Sequence, residues 1–347
     1  MYRLLLLFLI PVFSFSQSTE TNEKHLKNLK QLTFGGDNAE AYFSPNGKFL
    51  SFQSNNAKWG LKCDQIFNLD IKKAMKDSTY KPPAISNLEG RTTCSYYLPG
   101  NKQILFASTH LAAKDCPPVP EIKGKYLWAI YDSYDIFVAD LSGKIVKQLT
   151  AEKGYDAEAT VSPKGDKIVF TSTRSGDLEL WTMNIDGSNP VQITDELGYD
   201  GGAFFSPDGK KLVFRSSRPK TEEEIKDYKE LLAQGLVAPT NMEIYVCDVD
   251  GKNKKQVTSL GKANWAPFFH PSGKKIIFSS NHHSKKGYDF QLFMINLDGT
   301  GLEQITNKSI FNAFPMFSPD GKKLVFSSNR DNGGTRDTNL FIADWQD

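Results

Sequence analysis

The sequence predicts an all-β protein: a six-bladed β-propeller of four-stranded antiparallel blades, closed by an N-terminal strand that completes the last blade. Three observations predict it. A strand–turn–strand unit recurs six times; it is cleanest at residues 313–330, around Phe317-Ser318-Pro319-Asp320-Gly321-Lys322, and nearly repeated at residues 203–218. Most units continue into a third strand ending in Asp or Asn, then a fourth reading Gln-Ile-Thr or a close variant. The last unit stops after its third strand, Leu340–Trp345, while a lone Leu29-Lys30-Gln31-Leu32-Thr33 stands near the other end of the chain. That segment is the missing fourth strand, and pairing it with the last unit removes an exposed sheet edge.

Six prolines anchor the units: Pro45, Pro99, Pro163, Pro207, Pro271 and Pro319, at intervals of 54, 64, 44, 64 and 48 residues. Each unit reads as strands a to d, with Gly-containing turns at a–b and usually at c–d. The shortest interval is a bare four-stranded unit and the others carry insertions. Unit one runs through 41–52 to a third strand at 65–70, and unit two is a degenerate copy ending at Val146–Thr150. Units three to five are clean, with fourth strands ending at Thr194, Thr258 and Thr306. The insertion of unit four holds a helix over 222–234, inside an insertion of about 221–235: Thr221 is the N-cap, Glu224 stands at the capping-box position and Gly235 ends it. Ile225, Tyr228, Leu231 and Leu232 share one helical face. Two roles fit that helix, a lid packed on its own blade or a wall over the central channel.

Ahead of the propeller, Arg3 precedes an apolar run from Leu4 to Phe13, and Ser14-Phe15-Ser16 offers small residues for a cut before Gln17. This reads as a secretory signal peptide over 1–16, too short for the roughly 20 apolar residues of a membrane-spanning helix. Residues 17–28 are polar and expected to be disordered, and 29–347 form the propeller. A periplasmic or secreted location follows. The net charge of +2, with 24% charged residues, argues against a nucleic-acid partner. Export permits a disulfide. One is expected among Cys63, Cys94 and Cys116, with the pairing open, while Cys247 reads as a buried free thiol.

The recurrent Phe-Ser-Pro-Asp-Gly-Lys-Lys-Leu-Val-Phe-Ser-Ser-Asn-Arg, followed by Leu-Phe-Ile-Ala-Asp and Gln-Ile-Thr, resembles the TolB-type propeller repeat from about residue 29 to 345. The resemblance implies the propeller of that family and of tricorn-like and prolyl-oligopeptidase-like proteins, without their catalytic domain. It implies a binding role more than a reaction.

In such blades the a–b and c–d turns share one face, and the b–c and d–a loops share the other. The a–b turns are short. The b–c loops swell at 54–62, 110–134, 219–241, 282–288 and 330–338, so the loop face is expected to bind. Aligning on the anchor prolines places Asn38, Thr92, Asp156, Asp200, Asn264 and Asn312 seven residues before them. Glu40, Cys94, Glu158, Gly202, Ala266 and Phe314 stand five before. Converging Glu40, Asp156, Glu158 and Asp200 suit a divalent cation, an amine or an acid/base pair; the competing reading is that such residues bond local backbone. No other cofactor is expected. A further ring, Asn56, His110, Arg174, Arg218, His282 and Arg330, follows the strand-b Phe. It is expected to bond the polar residue that begins strand c. His110 and His282 depart from its Arg. The candidate ligand residues are thus Glu40, Arg91, His110, Asp156, Glu158, Asp200, Asn264, Trp265, His282 and Asn312, with the aromatic loop around Tyr126, Trp128, Tyr131 and Tyr134 beside them.

No Gly-x-Ser-x-Gly elbow, His-Glu-x-x-His helix, phosphate loop or dinucleotide fingerprint occurs. The expected function is a monomeric, non-enzymatic binder of a protein, peptide or envelope partner, with carbohydrate as a second ligand class. The alternative is a lyase or hydrolase acting on polysaccharide or peptide through Glu40, Asp156, Glu158 or His110.

Overall fold

Six small antiparallel sheets repeat one strand order in the structure, a computed structural model. It describes residues 23–120 and 124–347, and the expected signal peptide lies outside them. Blades two to five each run a–b–c–d in chain order, from Thr92–Tyr97 in blade two to Glu303–Gln304 in blade five. Blade six takes Asn312–Phe317, Lys323–Ser328 and Asn339–Trp345 from the end of the chain and Leu26–Gln31 from its beginning. The ring closes as expected.

The closing strand starts three residues before the expected Leu29, within the stretch read as disordered: Leu26 already pairs with Trp345. Polar composition concealed this. His25 stacks on Trp345 at 4.9 Å, and the Glu23 carboxylate accepts from the Arg330 guanidinium at 2.9 Å. These side chains anchor the segment with little apolar burial of their own. Leu32-Thr33 then fills the fourth-strand station. The Thr33 hydroxyl accepts the Leu340 N–H at 2.9 Å, just as Thr194, Thr258 and Thr306 accept from Leu180, Ile244 and Leu292 at 2.8 Å. Blade one is the exception, with three regular strands. After the short helix Ile71–Ala74 the chain returns so that Ile85 N–H reaches Ile66 O at 2.8 Å, and Ser86 Oγ accepts Ile66 N–H at 3.1 Å. Ser86 thus stands where the other blades have Thr.

One phenylalanine from each strand b (Phe52, Phe106, Phe170, Phe214, Phe278 and Phe326) is wholly buried. Each contributes about 1.5–3 kcal/mol by leaving water. The anchor turns explain their own sequence. Ser206 Oγ donates to Asp208 at 2.6 Å and accepts Lys211 N–H at 2.9 Å, and Gly209 holds φ at +70°. Ser318, Asp320 and Lys323 repeat the arrangement. The insertion helix spans Glu222–Ala233 with its capping box formed, close to the expected span. The disulfide joins Cys63 to Cys116, tying the b–c loops of blades one and two, while Cys94 and Cys247 are free.

Candidate functional site

Strand a carries a β-bulge in every blade, at the residue five before the anchor proline. Glu40, Cys94, Glu158, Ala266 and Phe314 all have φ between +46° and +58°, and Gly202 has +60°. Register shifts at the same place in all six a–b pairings. A non-glycine residue in this region is strained, and a bulge re-aims its side chain. Here the bulges aim the ring at a small central chamber of about 40 Å³, lined among others by Glu40, Cys94, Glu158, Gly202 and Arg215. It has room for small solvent only.

Within it the two carboxylates differ. Glu158 accepts from the Tyr199 hydroxyl at 2.6 Å, Thr171 Oγ1 at 2.7 Å and Gly202 N–H at 2.8 Å, and pairs with Arg215. Burial alone would raise the Glu158 carboxyl; Arg215 and these bonds outweigh that and hold it below the usual range. Arg215 in turn lies over the rings of Trp128 and Tyr199 at 5.1 and 4.9 Å. Glu40 has no cation bonded to it among the described residues; its carboxyl lies by the Tyr42 hydroxyl at 3.4 Å and also meets the Cys94 thiol. Burial, with the Glu158 charge nearby, pushes it up to about 7.

Aromatic side chains flank the chamber on both sides. Toward the turn face, Tyr42, Tyr96, Phe204 and Phe268 form an aromatic plug, with centroids 5.6 Å apart for Tyr42–Tyr96, 5.7 Å for Tyr42–Phe204 and 5.1 Å for Phe204–Phe268. Toward the loop face, the two longest insertions meet. Trp128–Ala129 of blade two pairs with Leu236–Val237 of blade four, and Trp128 packs on Trp265 at 5.1 Å. The Trp265 indole N–H donates to Pro239 O at 2.8 Å, and its ring stacks on Phe290 at 4.2 Å. Of the two roles expected for the insertion helix, the wall fits better. Tyr228 and Leu232 pack into the cluster containing Trp265, and the strand after the helix crosses to blade two.

The remaining candidates are not in the chamber. Asp156 accepts from Arg174 at 2.8 Å, Asp200 takes a bidentate pair from Arg218 at 2.7 and 2.8 Å, and Asn312 accepts from Arg330 at 2.9 Å. The expected convergence of Asp156 and Asp200 with Glu40 and Glu158 therefore does not occur. The arginines reach the first residue of strand a, not the start of strand c as expected. Strand a lies directly opposite the end of strand b, with Asp156 facing Ser172 and Asp200 facing Ser216. Asn264 donates to Met242 O at 2.8 Å and accepts from Ser280 at 2.6 Å. Arg91 pairs with Asp64 at 2.6 Å. His110 and His282 pack with tilted rings against Phe137 and Phe293 at 4.4 and 4.5 Å, and each bonds its own strand-b serine at 2.9 Å. Burial lowers the pKa of both imidazoles. They stand in for the repeat's arginine, which lies over the strand-c aromatic at the same station, as Arg174 over Trp181 and Arg330 over Phe341. Among the described residues, no group of three or more His, Cys, Asp or Glu is placed to hold a metal ion.

Arg215 and Tyr199 were not foreseen. The signal was present: across the six strands b, the column Gln53, Ala107, Thr171, Arg215, Ser279, Ser327 holds one charged residue. Gly202 is its counterpart, since a Cβ there would run into the Arg215 guanidinium.

A family model described as the TolB beta propeller domain matches residues 129–236 and 232–336. Among solved structures, a putative TolB from Agrobacterium tumefaciens superposes with a TM-score of 0.58 at 18% identity, over 90% of this chain and 91% of that one. TolB from Acinetobacter baumannii gives 0.54 at 18% identity, over 90% of this chain and 64% of that one. An oligogalacturonate lyase in complex with manganese gives 0.55 at 16% identity, over 92% and 80%. At these identities the likeness to the solved structures is one of fold.

Proposed function

This chain belongs to the TolB beta-propeller family, and from that premise we propose that it is an exported, non-enzymatic binding protein. It docks a protein, peptide or other cell-envelope partner on the face bearing the b–c and d–a loops. The apolar run near the N-terminus supports a periplasmic or secreted location. The observation that carries the docking face is the placing of exposed apolar side chains. Of the twelve large ones exposed among the described residues, eight belong to these loops: Phe34, Leu88, Leu111, Val119, Tyr126, Leu197, Tyr288 and Ile310. Apolar side chains gathered on one face of a folded protein favour a partner that covers them. Because the chamber is capped, the partner rests on the rim and the cap, with little backbone change.

The lyase or hydrolase alternative needs a carboxylate free to exchange a proton. Asp156, Asp200 and Glu158 are committed to arginines. Glu40 is the carboxylate left for it, and the chamber around Glu40 admits small solvent only.

A photoreactive residue at Tyr126 or at Tyr288, compared with one at Met75 on the turn face, tests the docking face in the native envelope. Adducts are expected from the first two. Adducts from Met75 alone, or from none of the three, would remove the loop face from the account. Turnover of oligosaccharide or peptide panels by the purified protein, abolished in Glu40→Gln, would establish the enzymatic alternative instead.

A further inference from the structure

Blade one departs from the others where strand c turns toward strand d. Blades two to five make that connection by short turns at 141–144, 185–190, 249–254 and 297–302. In blade one it is an excursion over residues 71–84 at the outer edge of the ring, and none of those residues lines the central opening of the turn face. It begins as the helix Ile71–Ala74, whose N-cap Asp70 accepts Lys73 N–H at 3.1 Å. Ile71 and Ala74 are buried in the core beneath, which fixes the helix and turns Lys72, Lys73, Met75 and Lys76 to solvent; Met75 is 49% exposed. Lys48 and Lys102, exposed on the adjoining a–b turns, extend the same surface. Lys48 O accepts Ile71 N–H at 3.2 Å, and Asn101 accepts Asn46 N–H at 2.9 Å to join the two turns.

We propose that this surface docks on an anionic phospholipid bilayer, with Met75 entering the headgroup layer and the surrounding lysines meeting lipid phosphates. Three observations select that occupant. The charge is free: Lys48, Lys72, Lys73, Lys76 and Lys102 pair with no carboxylate among the described residues, whereas Lys164, Lys211 and Lys323 in blades three, four and six each pair with an aspartate. Asn46 and Gly100 stand where blades four and six have Asp208 and Asp320. The nearby acids are turned inward, Asp70 to Lys73 N–H and Asp77 to Thr79 N–H at 2.8 Å. The cations are of one kind, since no arginine occurs between residues 41 and 90. Planar guanidinium forks suit the fixed carboxylates of a protein, while flexible ammonium groups act as point charges and can follow mobile headgroups. The shape is a projection, with residues 75–79 all exposed. A bilayer yields to a projection, whereas an acidic peptide would find no groove there to bury a side chain. Seated this way, the ring turns its loop face away from the lipid, so this contact and the docking of a partner on that face are independent.

The test is co-sedimentation of the purified exported protein with vesicles of phosphatidylcholine, alone or mixed with phosphatidylglycerol. All variants share one N-terminus, so the apolar run there weighs equally on each. Binding to the anionic vesicles is expected to exceed that to the neutral ones at least about tenfold, and to fall as much when salt rises from about 50 to about 500 mM. K72E/K73E/K76E lowers it at least about tenfold. K153E/K229E/K285E, the same charge change at exposed positions of the loop face, leaves it within about twofold. In Met75→Trp, brominated acyl chains in the anionic vesicles quench fluorescence beyond any quenching seen in wild type. Equal binding to both vesicle types overturns the proposal, as does equal loss in the two triple variants. So does a Met75→Trp indole that the brominated chains fail to quench, a reading that stays decisive if a charge reversal does not fold. Saturable binding of soluble polyglutamate without binding to anionic vesicles would assign the surface to an acidic protein and also overturn it.

Discussion

The two faces of the ring are built from the same repeat and have diverged in opposite ways. On the turn face the six anchor turns keep nearly one sequence and one conformation. On the loop face the connections range from tight turns to insertions with their own helix and strands. The difference has a mechanical origin. In five of the six turns a glycine abuts the anchor proline of the neighbouring blade: a Cβ on Gly209 would meet Pro163, one on Gly273 would meet Pro207, and one on Gly321 would meet Pro271. Between blades one and two, Asn101 accepts Asn46 N–H at 2.9 Å instead. The turns interlock around the circle, so none can lengthen without disturbing its neighbours. On the loop face the blades are also joined, as where Asp156 N–H donates to Tyr134 O at 3.0 Å and Asn312 N–H to Phe290 O at 2.9 Å, but these bonds lie at the bases of the loops and leave room beyond them for the loops. They are free to grow, and two of them have grown until they meet.

Three measurements would break or sharpen this contrast. The largest effect is expected beneath the loop-face cap. Arg215→Ala leaves Glu158 buried without its cation, which costs about 3–5 kcal/mol for a pair of this kind. Urea denaturation reads it directly, and a loss below about 1 kcal/mol would mean that the chamber solvates Glu158 unaided. A smaller effect separates the faces themselves. Gly165→Ala on the turn face meets Pro99 as well as a φ of +76°, whereas Gly176→Ala on the loop face meets open space at a φ of +94°. The first is expected to cost about 1–3 kcal/mol and the second less; equal losses would show that the turns do not interlock. The smallest effect is one of pH. Folded Glu40 keeps its proton to about 7, while the unfolded chain releases it near the ordinary glutamate value of 4.5. Between those values the unfolded state binds fewer protons, so this group's contribution to stability falls as pH rises through the window. Glu40→Gln should remain flatter than wild type from pH 5 to pH 8, and parallel curves would place the Glu40 carboxyl in solvent-like surroundings.

The fold was legible because the repeat states it six times, and the closing strand because one Gln-Leu-Thr lacked a blade. The start of that strand was not legible. His25 and Glu23 are held by Trp345 and Arg330, more than 300 residues away, and no local pattern announces such contacts. The candidate site was legible in position and less so in chemistry. Alignment brought Glu40 and Glu158 to one ring, where the bulges place them. It could not separate the ring seven residues before proline from the ring five before, although the bulge turns one into the blade and the other into the chamber. Arg215 was visible as a departure from its column, but only its contact with Glu158 across the blade three–four junction gives that departure a meaning. Tyr199 has no such signal, because its role is a bond to Glu158 in the neighbouring blade.

Closure by Leu26–Gln31 also sets an order of events in time. The first strand of the described residues finds its partner only after Asn339–Trp345 exists, so during synthesis it waits for the whole ring. The pairing spans nearly the full chain, and contacts of that separation form late and slowly. Until then blade six presents a bare edge, a template for another chain. A protein built this way is exposed to aggregation at the last step of its folding, and any factor that shields the edge of blade six in that interval would raise the yield of closed rings.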